Sequence, residues 1–127
     1  MSKQVISTAD APAAIGPYSQ AIRAGNMLFV SGQIPLNPQT GEMVGATAAE
    51  QARQVLNNLK AILQAAGTSL DNVVKTTIFL TDLTQFAEVN AVYAEFFPQN
   101  PPARSTVQVS ALPRGAQVEI EAIAIIP

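Results

Sequence analysis

Two short stretches of this sequence carry charged side chains at spacings that could do chemistry. PARSTVQV, from Pro102 to Val109, alternates as a half-buried strand does: Ser105, Val107 and Val109 fall on one face, and Arg104, Thr106 and Gln108 on the other. VEIEAIA, from Val118 to Ala124, puts Glu119 and Glu121 on one face and Ile120, Ala122 and Ala124 on the other. A guanidinium presents two parallel N–H donors in a planar fork, which suits a carboxylate ligand. A glutamate beside it could serve as a base or orient a water. Each has a plainer reading: Arg104 in an ion pair with Glu119 or Glu121, and the glutamates as solvated strand charges. Glu-x-Glu also fits a two-carboxylate glycosidase or a metal site. That signal is weak, because residues i and i+2 of any strand share a face.

The elements that must position these groups can be read along the chain. Val5 and Ile6 suggest a short first strand. The Pro-, Gly- and Ala-rich segment ADAPAAIGPYSQ predicts an ordered loop. AIRAGNMLFVSG reads as a hairpin, with Ala24-Gly25-Asn26 as the turn and 27–30 as the return strand. Two prolines and two glycines make QIPLNPQTGEMVG a loop. Thr47-Ala48-Ala49-Glu50 is a capping box. The helix it opens runs to about Ala66, with Ala52, Val55, Leu56, Leu59, Ile62, Leu63 and Ala66 in one stripe and Gly67 as the stop. The β-branched run over 73–81 predicts a strand. A second helix over 86–97 presents Phe86, Val89, Tyr93, Phe96 and Phe97, and Pro98 limits it. After the rigid Asn100-Pro101-Pro102 comes the Arg104 strand. A turn at Leu112-Pro113-Arg114-Gly115 and a last strand over 118–126 follow.

The order is β-β-β-α-β-α-β-β, and the simplest packing sets both helices on one side of one sheet, an α+β sandwich. The two C-terminal strands, joined by a short turn, are expected to pair. Arg104, Thr106 and Gln108 would then share a sheet face with Glu119 and Glu121. Val107, Val109, Ile120 and Ala122 would face the helices. The mixed side also shows Ile123 and Ile125, as a subunit interface would.

Composition narrows the chemistry. The chain has 127 residues, the size of one domain, and no second composition regime. Charged residues make up 13% of it, against roughly 25% in an ordinary soluble domain, which predicts that part of the surface is buried in an oligomer. The net charge is −2 and the cations are scattered singly, which argues against a nucleic-acid groove. The absence of cysteine and histidine removes disulfides, thiol nucleophiles, Ser-His-Asp triads and Cys/His zinc sites. General acid–base work falls to Asp, Glu, Tyr, Lys or a water they hold. The N-terminus lacks an apolar signal region and no window approaches about 18 uninterrupted apolar residues, so a cytoplasmic protein with no membrane span is expected.

Several motifs in fixed order resemble the reactive intermediate deaminase family (RidA/YjgF, also catalogued as L-PSP endoribonuclease-like). They are IGPYSQA at 15–21, SGQIP at 31–35, NPQTGE at 37–42, VVKTTIFLTDL, FAEVNAVYAEFF, PARS at 102–105 and VEIEAIA at 118–124. The resemblance covers nearly the whole chain. It implies a chorismate-mutase-like mixed sheet with two helices on one face, and a homotrimer whose sheets form a central barrel with ligand clefts between subunits. It implies hydrolysis of 2-imino acids, such as 2-iminopropanoate and 2-iminobutanoate released by PLP-dependent dehydratases, to 2-keto acids and ammonia, with no metal or cofactor. By the same resemblance Arg104 holds the substrate carboxylate, Glu119 orients the attacking water and Tyr18 closes the cleft from the neighbouring subunit. Ser31 and Gly32 shape the pocket wall, and Asn90 is a support residue. Thr106 stands where a cysteine is common in relatives, so its role would run through the backbone N–H. Two other readings stay open: a regulatory trimer that binds small carboxylates without turnover, and, more weakly, an endoribonuclease or translation inhibitor.

Overall fold

A hydroxyl and a carboxylate exchange hydrogen bonds where the longer helix begins. In the computed structural model, which describes residues 2–127, the Thr47 Oγ1 accepts from the Glu50 amide at 3.2 Å, and the Glu50 carboxylate accepts from the Thr47 amide at 3.2 Å. Helix α1 (Ala48–Ala65) follows. It ends on Gly67 at φ +84°, with Gly67 N–H donating to the Gln64 carbonyl and Thr68 N–H to that of Leu63. That is the paired Schellman arrangement, which a side chain at Gly67 would strain. The apolar stripe expected from the spacing is the buried one: Ala52, Val55, Leu56, Leu59, Ile62 and Leu63 are all fully shielded. Helix α2 (Phe86–Phe96) buries Val89, Val92 and Tyr93, while Phe86 and Phe96 stay partly exposed.

The strands are β1 (Lys3–Ile6), β2 (Ala21–Ala24), β3 (Met27–Gln33), β4 (Val73–Leu80), β5 (Ala103–Gln108) and β6 (Val118–Ile125). They form one mixed sheet in the order β1-β2-β3-β6-β4-β5. Leu28, Val30, Ile78, Leu80, Val118, Ile120 and Ala124 lie under the helices in one core with α1 and α2. On the other face Phe29, Val107 and Ile125 stay 45%, 42% and 37% exposed. Among the described residues nothing covers this partly apolar face. Among the described residues no helix is long and apolar enough to cross a membrane.

The element order agrees with the sequence reading, but one pairing does not. β5 and β6 are not neighbours, because β4 lies between them. The chain leaves β4, crosses through α2 and returns parallel to β4, so β5 pairs on β4's free side. The expected hairpin is instead a connection that spans the end of β4. There Val109 N–H donates to the Leu80 carbonyl and Thr81 N–H to that of Gln117. The faces change accordingly. Arg104, Thr106 and Gln108 stand in register with Thr76, Ile78 and Leu80, on the helix side. Glu119 and Glu121 stand in register with Phe79 and Thr77, on the open side. Val107, expected to face the helices, is on the open face with Phe79. The expectation that Arg104 and Glu119 share a face within one chain is therefore overturned.

β3 is longer than its expected 27–30 and carries an irregularity. Its register with β6 shifts between Val30 and Gln33, which places Ser31 and Gly32 in a bulge beside Glu119.

Candidate functional site

The open-face group is built on that bulge. Glu119 lies flat against Gly32. A Cβ on Gly32 would meet Glu119 Cδ at 2.8 Å and Cγ at 3.1 Å, and Oε2 closer still. Only a residue without a side chain leaves the carboxylate this seat. Burial raises the Glu119 proton affinity above the ordinary carboxylate value, and the Glu121 charge raises it further. The ion pair predicted as the plainer reading is absent: among the described residues the one cation–carboxylate pair within 4.0 Å is Arg53–Glu95, at 2.9 Å on the outer helix surface.

The Tyr18 loop rims the same cavity, which has a volume of about 450 Å³ and is also lined by Ser31, Gly32, Ile34, Glu119 and Glu121. Ser31 anchors this loop: its hydroxyl donates to the Ser19 carbonyl at 2.6 Å, and its amide to the Gln20 carbonyl at 3.0 Å. Gln20 holds the preceding stretch. Its buried amide donates to the carbonyls of Pro12 (2.7 Å), Thr8 (3.1 Å) and Ala11 (3.2 Å), and accepts from the Thr8 amide at 2.7 Å. Tyr18 itself is 48% exposed and leans over the opening.

The second group lies on the helix side, at the free edge of the sheet. Arg104 Nη1 donates to Asn90 Oδ1 at 2.8 Å. Its guanidinium carbon sits 4.8 Å from the Tyr93 ring centre and 5.4 Å from that of Phe86. Tyr93 is in turn fixed by a 2.7 Å hydrogen bond between its hydroxyl and that of Thr76. Burial raises the Tyr93 proton affinity, so the phenol stays neutral and the ring faces remain electron-rich beneath the cation. Arg104 is thus half-buried, stacked and supported by a neutral amide, with its remaining donors available to an anion. Thr106 Oγ1, one turn of the pleat further on, is buried without a hydrogen-bond partner.

Two functional residues escaped sequence reasoning. Tyr93 reads as core from its helical spacing, and nothing local marks it as the platform for Arg104. Gln20 lies inside IGPYSQA, but only its burial shows that it clamps the loop. Among the described residues no three acidic side chains gather as a metal site requires.

The two groups cannot meet on one small molecule within one chain. They point to opposite faces, and β6 and β5 are separated by β4, about 10 Å across the sheet. Fold and site together define an α+β protein with two separate polar groups on opposite faces of one sheet, one anionic with a desolvated carboxylate, the other cationic.

Comparison with known proteins gives this class a family. The Endoribonuclease L-PSP family matches residues 8–126. A RutC family protein of Pyrococcus horikoshii is 57% identical over 122 residues, covering 96% of this chain and 97% of that protein. The 2-iminobutanoate/2-iminopropanoate deaminase of Escherichia coli is 56% identical over 128 residues, covering 98% of each. The crystal structure of Escherichia coli TdcF with bound serine superposes with a TM-score of 0.92 at 50% identity, over 96% of this chain and 98% of that one. The chain belongs to the Endoribonuclease L-PSP family, that of the RidA/YjgF proteins.

Proposed function

We propose that this protein hydrolyses small 2-imino acids, with 2-iminopropanoate and 2-iminobutanoate as the type, to 2-keto acids and ammonia. The observation that carries the proposal is Glu119: a carboxylate seated on Gly32 with its proton affinity raised by burial. A site meant only to bind carboxylates would have no use for it. The names of the deaminase relatives support the same reading.

In this mechanism the Arg104 fork holds the substrate carboxylate, with Asn90, Tyr93 and Phe86 keeping the guanidinium in place. Glu119 orients a water against the imine carbon and takes its proton as the C–O bond forms. The resulting carbinolamine gains that proton on nitrogen, and Glu119, ionised again, takes the hydroxyl proton as the C–N bond breaks, so ammonia leaves and the keto group forms. A protonated imine is already electrophilic, so positioning and a proton relay through one carboxylate suffice. Because the half-sites lie on opposite faces, the complete site takes Arg104, Asn90 and Thr106 from one copy. Glu119, Gly32, Ser31 and the Tyr18 loop come from the next. The uncovered apolar sheet face supports assembly around it, as in the homotrimer the family resemblance implies.

The test is keto-acid release when a serine dehydratase generates 2-aminoacrylate in the presence of semicarbazide as a competing trap. Wild type is expected to outrun spontaneous hydrolysis, and Arg104→Ala and Glu119→Ala are not. A wild type with no effect on any small imine would replace catalysis with ligand binding.

A further inference from the structure

The turn that leads into β6 holds an arginine in a conformation that long side chains seldom adopt. Arg114 has φ +58° and ψ +23°, the left-handed region that suits glycine. Core packing does not force it there, since Arg114 is exposed. Strain of this kind persists where the surrounding structure over-determines it, often beside a functional site. We propose that Arg114 is a positioning residue for the reaction: it tethers the 112–116 turn so that Pro113 stands as a fixed wall of the Glu119 cavity. This role rests on that cavity being the site of the proposed reaction, and adds what keeps one of its walls in place.

The tether has a firm far end. The loop over 34–46 is pinned at both ends. Asn58 on α1 donates to the carbonyls of Leu36 (3.0 Å) and Ile34 (3.4 Å). Gln51 on α1 donates to that of Gly45 (3.2 Å), and Gln117 to that of Ala46 (3.0 Å). The tip closes on itself, with Asn37 N–H donating to the Glu42 carbonyl and Gly41 N–H to that of Asn37, both at 2.8 Å. Arg114 Nη1 donates to the Gly41 carbonyl at 2.7 Å. Among the described residues Arg114 is the only side chain outside the loop with a hydrogen bond to the tip over 37–42.

The near end is weak without it. The turn's own hydrogen bonds, from Gly115 N–H to the Leu112 carbonyl at 3.3 Å and from Ala116 N–H to that of Pro113 at 3.2 Å, are long for amide pairs. Ile34, Leu36 and Ala116, with Leu112 and Met43 beside them, form an apolar group separate from the main core. That group holds the base of the turn, and Pro113 lies outside it. Yet Pro113 and Ile34 line the same cavity as Glu119. With Arg114 left-handed, Pro113 borders the cavity while the adjacent guanidinium reaches the loop tip.

Three variants separate the tether from the fold. Arg114→Met keeps a long stem and the backbone strain but has no donor. Arg114→Lys keeps a donor. Arg114→Gly removes donor and strain together. In the keto-acid release assay Arg114→Met should raise KM about three- to tenfold, the weight of one hydrogen bond, with kcat within about twofold because Glu119 and Arg104 are untouched. Arg114→Lys should recover most of that loss. Arg114→Gly should raise KM as Arg114→Met does, with a Tm equal to or above that of wild type. Wild-type KM in Arg114→Met, a KM in Arg114→Lys as high as in Arg114→Met, or a lower Tm in Arg114→Gly would each overturn the proposal. Amide hydrogen exchange at Ala116 reads the tether without turnover. It should be about three- to tenfold faster in Arg114→Met than in wild type or Arg114→Lys, and equal exchange in all three would overturn the proposal. Failure of the deaminase reading looks different: wild type then hydrolyses no imine, and exchange at Ala116 still decides the tether.

Discussion

Replacing Gly32 by alanine should disable the reaction without unfolding the protein. Gly32 is not among the positive-φ glycines, so alanine adds no backbone strain there. The added methyl would stand 2.8 Å from Glu119 Cδ, against an ordinary carbon–carbon contact of about 3.5–4.0 Å. The carboxyl group must therefore retreat by on the order of 1 Å, and as the end of a flexible side chain it can do so at small cost to folding. A displacement of that size at a group that must aim a water is worth roughly 100-fold in rate. The expected result is kcat lower by about two orders of magnitude, KM little changed because Arg104 is untouched, and a Tm within a few degrees of wild type. The assay is keto-acid release from an imine generated in situ, with calorimetry for Tm. The double variant Gly32→Ala/Glu119→Ala should be no slower than Glu119→Ala alone, since Gly32 acts only through Glu119. Wild-type kcat in Gly32→Ala would rule out this positioning role for Gly32, as would a double variant markedly slower than Glu119→Ala.

Three further outcomes follow from the same geometry. The raised Glu119 proton affinity moves the acidic limb of kcat/KM above the ordinary glutamate value, because the base must be ionised to work. The sign for stability is opposite. An acid whose folded pKa lies above its unfolded one favours folding while protonated, and that contribution is lost as pH rises through the folded pKa. Glu119→Gln should therefore raise Tm at neutral pH, with the gain shrinking as pH falls below the ordinary carboxylate range; thermal melts at pH 4 and pH 7 check it, and an equal or larger gain at pH 4 would contradict it. Gln20→Ala strips the partners from four hydrogen bonds that hold the loop before Tyr18, and should cost about 2–3 kcal/mol, or roughly 10 °C in Tm. Faster amide hydrogen exchange over residues 8–19 would mark the loop as the part released, and unchanged exchange there would count against the clamp.

How much of this was legible in the sequence depends on the range of the interaction involved. Helix α1 was readable to within a residue or so because its capping box and apolar stripe are local patterns. Arg104 was recognisable as an exceptional charge in an alternating strand. Its surroundings were not, because a strand's neighbour is set by the connection that brings it to the sheet. The α2 crossover made β5 a parallel partner of β4, which turned Arg104 toward Tyr93 and Asn90 instead of Glu119. The contact between Gly32 and Glu119 depends on a shift of register between β3 and β6, and nothing in SGQ or VEIE announces it. Tyr93 was correctly seen as part of an apolar helix face, yet its ring carries the guanidinium on one side while its hydroxyl is tied to Thr76 on the core side.

In the proposed reaction Arg104 and Glu119 serve one substrate from different copies of the chain. Mixing Arg104→Ala and Glu119→Ala proteins under conditions that exchange subunits tests it directly. Each site needs an intact Arg104 from one copy and an intact Glu119 from the next, so a random one-to-one mixture of two inactive variants should recover about a quarter of wild-type activity. A mixture that exchanges subunits, shown by mass spectrometry, yet stays as inactive as its components would contradict the account, because it would place both residues in a site formed by a single chain.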